Sequence, residues 1–181
     1  MVEKEIEIDG LKVITPSLFA DNRGYFMEFY NQERYNNIIG TEFKFVQDNI
    51  SISKKNVVRG LHFQSPPFEQ GKLVQVLNGR ATDVVVDIRK NSPTYGKYFK
   101  IELSNTNNKQ LWIPPGFAHG FVALEDQTIF SYKCTNFYSK ENEMALRWDD
   151  ELLGIDWGIN EAIVSNKDQE SQSFKNFNSP F

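Results

Sequence analysis

Cysteine is nearly missing from the 181-residue chain. Cys134 stands alone, so no disulfide can form within it, which fits a reducing compartment. Histidine is almost as scarce, with only His62 and His119. Catalytic zinc sites take three protein ligands, so most His/Cys metal sites are excluded and only a carboxylate-rich one stays formally open. No apolar run approaches the ~18 residues of a membrane span. The opening Met1-Val-Glu-Lys-Glu-Ile-Glu-Ile-Asp-Gly10 also lacks the apolar core of a secretion signal. A cytoplasmic protein with no membrane partner is expected. Positive charge is in deficit too, 20 Lys and Arg against 24 Asp and Glu for a net −4. That argues against a general nucleic-acid binder, which needs a basic face, but leaves room for a local cluster holding one phosphate group.

Apolar residues are plentiful. They make up 40% of the chain, with 14% aromatic and 15 Phe, well beyond the content of a disordered polypeptide. The length suffices to bury a core without disulfide or metal staples. No repeat, low-complexity linker or composition break marks a second domain, so a single domain over residues 1–181 is expected. The pattern is mainly β. Residues 72–77 and 82–87 flank Asn78-Gly79, a hairpin signal because both central residues of such a turn need positive φ. Further apolar runs at 98–103, 111–113, 120–124 and 128–134 are separated by polar or turn-forming segments, Pro114-Pro115-Gly116 among them. Short strands at this spacing predict a sandwich or barrel. Helix signals are few. Asn31 caps a short helix through Ile39 with Gly40 just past its end, and two more are expected near 150–153 and after Ser165.

Several side chains have the chemistry for a site, each with an ordinary structural reading beside it. His62, in Val57-Val-Arg-Gly-Leu-His-Phe-Gln64, is a candidate general base or a histidine simply bonded to a neighbour. His119 follows a Pro-Pro-Gly turn and starts an apolar strand, which resembles the second half of the cupin barrel signature. Metal-binding cupins carry His-x-His and a Glu in the first half, where this chain has His62-Phe-Gln64, so a barrel without metal is expected. Lys72 shares a strand face with Val74 and Val76; pointing inward, its ammonium can stabilise an oxyanion. Tyr132 shares a face with Phe130 and Cys134 and serves either as packing or as a proton donor, and Tyr138 is an equal candidate. Arg23, Arg59 and Lys167 are scattered cations suited to phosphate. Ser165-Asn-Lys-Asp168 approximates a capping box, which by itself makes Asp168 only the start of a helix.

Taken together, the segments resemble the dTDP-4-dehydrorhamnose 3,5-epimerase family nearly end to end. The resemblance is carried by Asp21-Asn-Arg-Gly-Tyr-Phe26, Gln47-Asp-Asn49, Arg59-Gly-Leu-His62-Phe-Gln64 and Gly71-Lys-Leu-Val74. It continues through Asp83-Val-Val-Val-Asp87, Ser92-Pro-Thr-Tyr-Gly96, residues 113–121, Ser131-Tyr132, Tyr138, Trp148-Asp-Asp150, Ile155-Asp-Trp157 and residues 165–168. It implies a cupin-type jelly-roll β-barrel with a few short helices, a homodimer with its N-terminal strands in the contact, and no metal or organic cofactor. It further implies a nucleotide-diphosphate sugar, dTDP-4-dehydro-6-deoxy-D-glucose, inverted at C3 and C5. By the same resemblance His62 is the base, Asp168 its partner, Lys72 the enolate stabiliser and Tyr132 the acid. Arg23, Arg59 and Lys167 would hold the diphosphate or nearby groups, and Glu28, Gln47, Asp48, Asn49, His119 and Glu143 would make other substrate contacts. Phe26 or Tyr138 would stack on base or sugar. Arg59 and His62 face opposite ways on a regular strand, so sharing one lumen requires a bulge, and Gly60 is the place for it. Residues 141–147 and Gly158 depart from the family pattern and leave the sugar open. An epimerase of a GDP-linked 4-keto hexose or heptose, a C3- or C5-only epimerase, a ketoisomerase and a non-catalytic sugar-binding barrel remain alternatives.

Overall fold

The computed structural model describes residues 2–40 and 43–181. In chain order its elements are β1 (Val2–Glu5), β2 (Lys12–Thr15), β3 (Leu18–Asp21), β4 (Gly24–Met27), α1 (Gln32–Ile39), β5 (Gln47–Ser53) and β6 (Val58–Gln64). They continue with β7 (Lys72–Asn78), β8 (Arg80–Asp87), β9 (Tyr98–Ser104), β10 (Gln110–Ile113), β11 (Phe117–Ala123), β12 (Thr128–Cys134), β13 (Glu143–Ala145) and α2 (Asn166–Gln169). Two antiparallel sheets, ordered β1-β2-β10-β7-β12-β5 and β13-β6-β11-β8-β9, enclose the core, and β3–β4 form a separate hairpin. This is the mainly β jelly-roll barrel expected. Among the described residues no helix is long and apolar enough to cross a membrane.

Period-two alternation decides which side chains enter the barrel. On β7, Val74 and Val76 pack with Phe121, Phe130, Val85 and Leu111 in the shared interior. Leu73 points the other way, beneath Trp112, Tyr35 and Ile39, so α1 lies on the outside of that sheet. Asn31 caps α1 by accepting from the Arg34 N–H, and Gly40 closes it with φ of 79°. The second sheet is covered on its outer face by the C-terminal segment, where Leu153, Trp157 and Phe177 bury against Leu61, Phe63, Val84 and Val86.

Three expectations change. The Asn78-Gly79 pair does not make a hairpin, since β7 and β8 lie in different sheets. Asn78 stays in register with Ile129 of β12, and only Gly79 takes positive φ, at 77°. A Cβ there would lie 2.7 Å from Thr128 Oγ1, so this glycine permits a tight crossing between sheets. Residues 150–153 form a turn, because the Asp150 carboxylate accepts from the Leu152 and Leu153 N–H groups and Gly154 then turns left-handed at φ 56°. β11 starts at Phe117, directly after the Pro-Pro-Gly turn, so His119 sits inside the strand rather than at its start.

The bulge required between Arg59 and His62 is present. On β11, His119 pairs with His62 and Phe121 with Arg59, so two steps on one strand oppose three on the other. Gly60 takes φ 134° at this point, and a Cβ on it would approach Gly120 Cα to 2.5 Å. A Cβ on Gly120 would lie 2.7 Å from the Arg59 carbonyl oxygen. Backbone meets backbone here, and neither neighbour is a side chain that can swing away. Gly120→Ala should therefore cost about 1–3 kcal/mol, read as a lower urea midpoint at unchanged slope; a midpoint equal to wild type would show that the strands separate without penalty.

Candidate active site

A cavity of about 440 Å³ opens in the barrel, lined by Arg59, His62, Lys72, His119, Tyr132 and Asp168 among others. They come from five elements. β6 supplies Arg59 and His62 across its bulge, β11 supplies His119, and the facing sheet supplies Lys72 from β7 and Tyr132 from β12. Asp168 arrives on α2, which reaches over β6 from the C-terminal segment.

His62 Nε2 lies 2.6 Å from Asp168 Oδ1. The carboxylate is buried, and its second oxygen accepts from the Gly60 N–H at 3.4 Å. Ser165 Oγ accepts from the Asp168 N–H at 3.2 Å, so the capping reading and the partner reading of this motif both hold. The cap sets the backbone, and the free carboxyl reaches the histidine. Burial alone would raise Asp168, but its bonds to His62, Gly60 and Ser165 outweigh that and hold it below the usual carboxylate value. With Nε2 engaged, Nδ1 is the ring nitrogen left to take a proton.

Lys72 Nζ lies 6.0 Å from the centre of the Tyr132 ring on the facing sheet. Burial pulls Lys72 below its ordinary value, opposed by the nearby Cys134, Asp83 and Glu143. Burial pushes Tyr132 up, so its phenol keeps its proton through the neutral range. A second buried pair joins His119 Nε2 to Asp83 Oδ1 at 2.7 Å. Burial lifts Asp83 against the pull of His119 and Lys72.

A smaller pocket of about 110 Å³ shares His62, Lys72 and Tyr132 and adds Gln47, Asn49 and Tyr138. Glu143 closes its rim, one carboxylate oxygen accepting from Tyr138 OH at 2.9 Å and from Lys167 Nζ at 2.5 Å. Gln47 accepts from the Tyr138 N–H at 2.9 Å. Arg59 Nε donates to Ser53 Oγ at 3.1 Å.

Four of the expected contacts lie elsewhere. Asp48 points out of the barrel, by the alternation that turns Gln47 and Asn49 in, and pairs with Lys133 at 2.9 Å. Arg23 and Phe26 sit on the exposed β3–β4 hairpin, Arg23 bound to Asp21 at 2.6 Å. Glu28, just beyond it, pairs with Arg34 at 2.9 Å. Asp83, quoted only as part of a matching segment, and Ser51 were given no site role by the sequence, although Ser51 lines the cavity and Asp83 bonds the His119 that also lines it. An acid inside the apolar run Thr82-Asp-Val-Val-Val-Asp87 was the available signal for Asp83, and alternation along 47–53 was the signal for Ser51. Among the described residues no three His, Cys, Asp or Glu side chains gather as a metal ion needs.

Residues 5–176 match the family model described as dTDP-4-dehydrorhamnose 3,5-epimerase. The chain is 48% identical over 168 residues to the dTDP-4-dehydrorhamnose 3,5-epimerase of Shigella flexneri, covering 93% of each protein. Its fold is similar to the crystal structure of the enzyme of that name from Elizabethkingia anophelis, with a TM-score of 0.92, 47% identity and 97% of each chain covered. It is similar too to the dTDP-6-deoxy-D-glucose-3,5-epimerase of Legionella pneumophila solved with dTDP-4-keto-L-rhamnose. There the TM-score is 0.94 at 44% identity, over 98% of this chain and 94% of that one.

The depressed Asp168 pKa makes a prediction about acid stability. A carboxyl lowered on folding stabilises the native state fully above its unfolded value, ~3.9, and loses that contribution as pH falls through the folded value. Below about pH 4 the urea midpoint of wild type should therefore drop more steeply than that of Asp168→Asn. Parallel curves would show that the carboxylate gains nothing from the pairing.

Proposed function

The chain belongs to the dTDP-4-dehydrorhamnose 3,5-epimerase family, and from that membership we propose that it inverts C3 and C5 of dTDP-4-dehydro-6-deoxy-D-glucose to give dTDP-4-dehydro-L-rhamnose. One observation carries the assignment to this chain's own residues. His62 on one sheet, paired with the Asp168 carboxylate of α2, faces a lysine and a tyrosine on the other sheet, across one cavity.

The protons at C3 and C5 are acidic because each carbon flanks the C4 ketone. His62 takes the proton from one face, and the electron pair of the broken C–H bond moves to O4. Asp168, on the far ring nitrogen, fixes the tautomer and favours the imidazolium that results. Lys72 stabilises the enolate oxygen. The Tyr132 phenol then delivers a proton to the same carbon from the opposite face, and the ketone re-forms with that centre inverted. The cycle repeats at the second carbon after both groups exchange protons with solvent. Arg59 and Lys167 hold the diphosphate, His119, Gln47, Asn49 and Glu143 make further contacts, and Tyr138, half exposed at the rim, stacks on base or sugar.

The protein acts as a homodimer in this reading. The β3–β4 hairpin exposes Phe19 at 63% and Phe26 at 69%, and the outer face of β5 exposes Ile50 at 63% and Ile52 at 57%. Apolar surface of this kind favours a partner, and the resemblance places the N-terminal strands in that contact. A second copy's hairpin is then what brings Arg23 and Phe26 to a cavity that they do not line in their own chain. The buried free thiol of Cys134 is consistent with the reducing cytoplasm.

Proton NMR in D₂O with dTDP-4-keto-6-deoxyglucose tests the activity: deuterium should enter both C3 and C5. Exchange at one carbon would make it a mono-epimerase, and exchange at neither would end the epimerase reading. His62→Ala and Tyr132→Phe should each lower kcat by ~10²–10⁴ while dTDP binding stays within a few-fold of wild type. Mixing and refolding Arg23→Ala with His62→Ala chains should recover activity that neither has alone, because one site of each mixed dimer keeps both residues. No recovery would confine Arg23 to its own chain.

A further inference from the structure

The inward positions of β8 alternate as Ala81, Asp83 and Val85, and the first and last belong to the apolar core between the sheets. Asp83 stands between them with no exposed surface. A carboxylate buried among aliphatic side chains is unfavourable unless it is paired, and here the pairing is half complete. Oδ1 bonds His119 Nε2 at 2.7 Å, while Oδ2 is closed off from solvent and has no hydrogen-bond partner among the described residues. Holding His119 accounts for one oxygen. The other calls for an explanation, and a positive charge nearby supplies one.

Lys72 is the cation that matches. Among the described residues its Nζ forms no hydrogen bond and no ion pair, and the Tyr132 ring centre lies 6.0 Å away. Titratable groups surround it on every side: Tyr132 and Cys134 of β12, Glu143 of β13, Asp83 of β8, Arg59 and His62 of β6, and His119 of β11. Those that oppose the effect of burial on its ammonium are Cys134, Asp83 and Glu143, in that order. Burial pushes the Cys134 thiol up, so it carries no charge in the neutral range. Glu143 is taken up by Lys167 Nζ at 2.5 Å and the Tyr138 hydroxyl at 2.9 Å. Asp83 is left as the carboxylate that answers Lys72, and between buried groups a charge acts across a gap with little screening.

Resting on the proposed function, we propose that Asp83 is a positioning residue for the epimerisation: one oxygen fixes His119, and the other is the counter-charge that keeps the Lys72 ammonium charged and turned toward the enolate oxygen. Asp83 is not part of the cavity wall, so it acts only through these neighbours. A neutral amine would stabilise an oxyanion less well. The sign of the pH effect follows. A nearby carboxylate favours the charged lysine, so removing it lowers the pH at which the ammonium is lost. Tyr132 must also hold its proton, but burial pushes the phenol up, so Lys72 governs the alkaline limb of kcat.

Asp83→Asn keeps the shape and still accepts from His119 Nε2 but removes the charge. Its kcat for deuterium exchange into dTDP-4-keto-6-deoxyglucose should fall about 10- to 100-fold at neutral pH, less than the ~10²–10³ lost with an oxyanion donor itself. The alkaline limb of kcat should move down by about 1–3 pH units, while affinity for dTDP stays as in wild type. In a Lys72→Met background the same substitution should cost no more than about twofold, because the residue it acts through has gone. Unchanged kcat and pH profile in Asp83→Asn overturn the proposal. Losses that multiply in the double variant overturn it as well, since Asp83 would then act independently of Lys72. If Asp83→Asn does not fold, Asp83→Glu and Asp83→Gln, which differ only in charge, make the same comparison. A wild type that exchanges neither proton ends the functional reading and this proposal with it, whereas an active wild type with an unaffected Asp83→Asn ends the proposal alone.

Discussion

The site depends on how closely two strand backbones approach at Gly60 and Gly120. A side chain at either position would drive β6 and β11 apart, since the nearest atoms are main chain. Because they do meet, the register steps by one residue between Arg59 and His62. An ordinary strand would send one of these residues to the outer sheet surface. Here both enter the lumen, and the Gly60 N–H left by the irregularity points at the Asp168 carboxylate that holds His62. Backbone packing and acid–base geometry are one arrangement in this barrel.

Around that junction the charges are arranged in opposition. Asp168 and Asp83 are both buried, and each is matched by a histidine. Their environments push them opposite ways, Asp168 downward through several hydrogen bonds and Asp83 upward through desolvation. Asp168 is thereby fixed as a carboxylate that can support an imidazolium. On the facing sheet, burial favours neutral lysine and neutral tyrosine, and the acids near Lys72 offset the first of these. One wall of the lumen thus carries a fixed carboxylate beside its histidine, and the other a phenol that keeps its proton.

Local chemistry was readable from the sequence wherever the element is local. The Asn31 and Gly40 caps, the face of β7 that Lys72 shares with Val74 and Val76, and the Ser165 cap of α2 all follow from spacing and cap preference, whereas the inward direction of that face does not. The Asn78-Gly79 turn misled because its local signal is the same whether the chain folds back within a sheet or crosses to the other, and only packing against Thr128 decides. Asp48 was grouped with Gln47 and Asn49 as a motif, although a strand cannot send three consecutive side chains to one side. The pairing of His62 with Asp168 was supplied by family resemblance, because no local pattern links residues so far apart.

That distance has a consequence in time. Asp168 follows His62 by 106 positions, and every strand of the two large sheets except β13 is complete by Cys134. At ~5–20 residues per second of synthesis, the ribosome supplies the barrel and its histidine some seconds before the carboxylate. Until residue 168 has been made, His62 has no carboxylate to pair with, and the C-terminal segment that covers the second sheet is the one that delivers it. The same stretch of chain completes both the packing of that sheet and the His62–Asp168 pair.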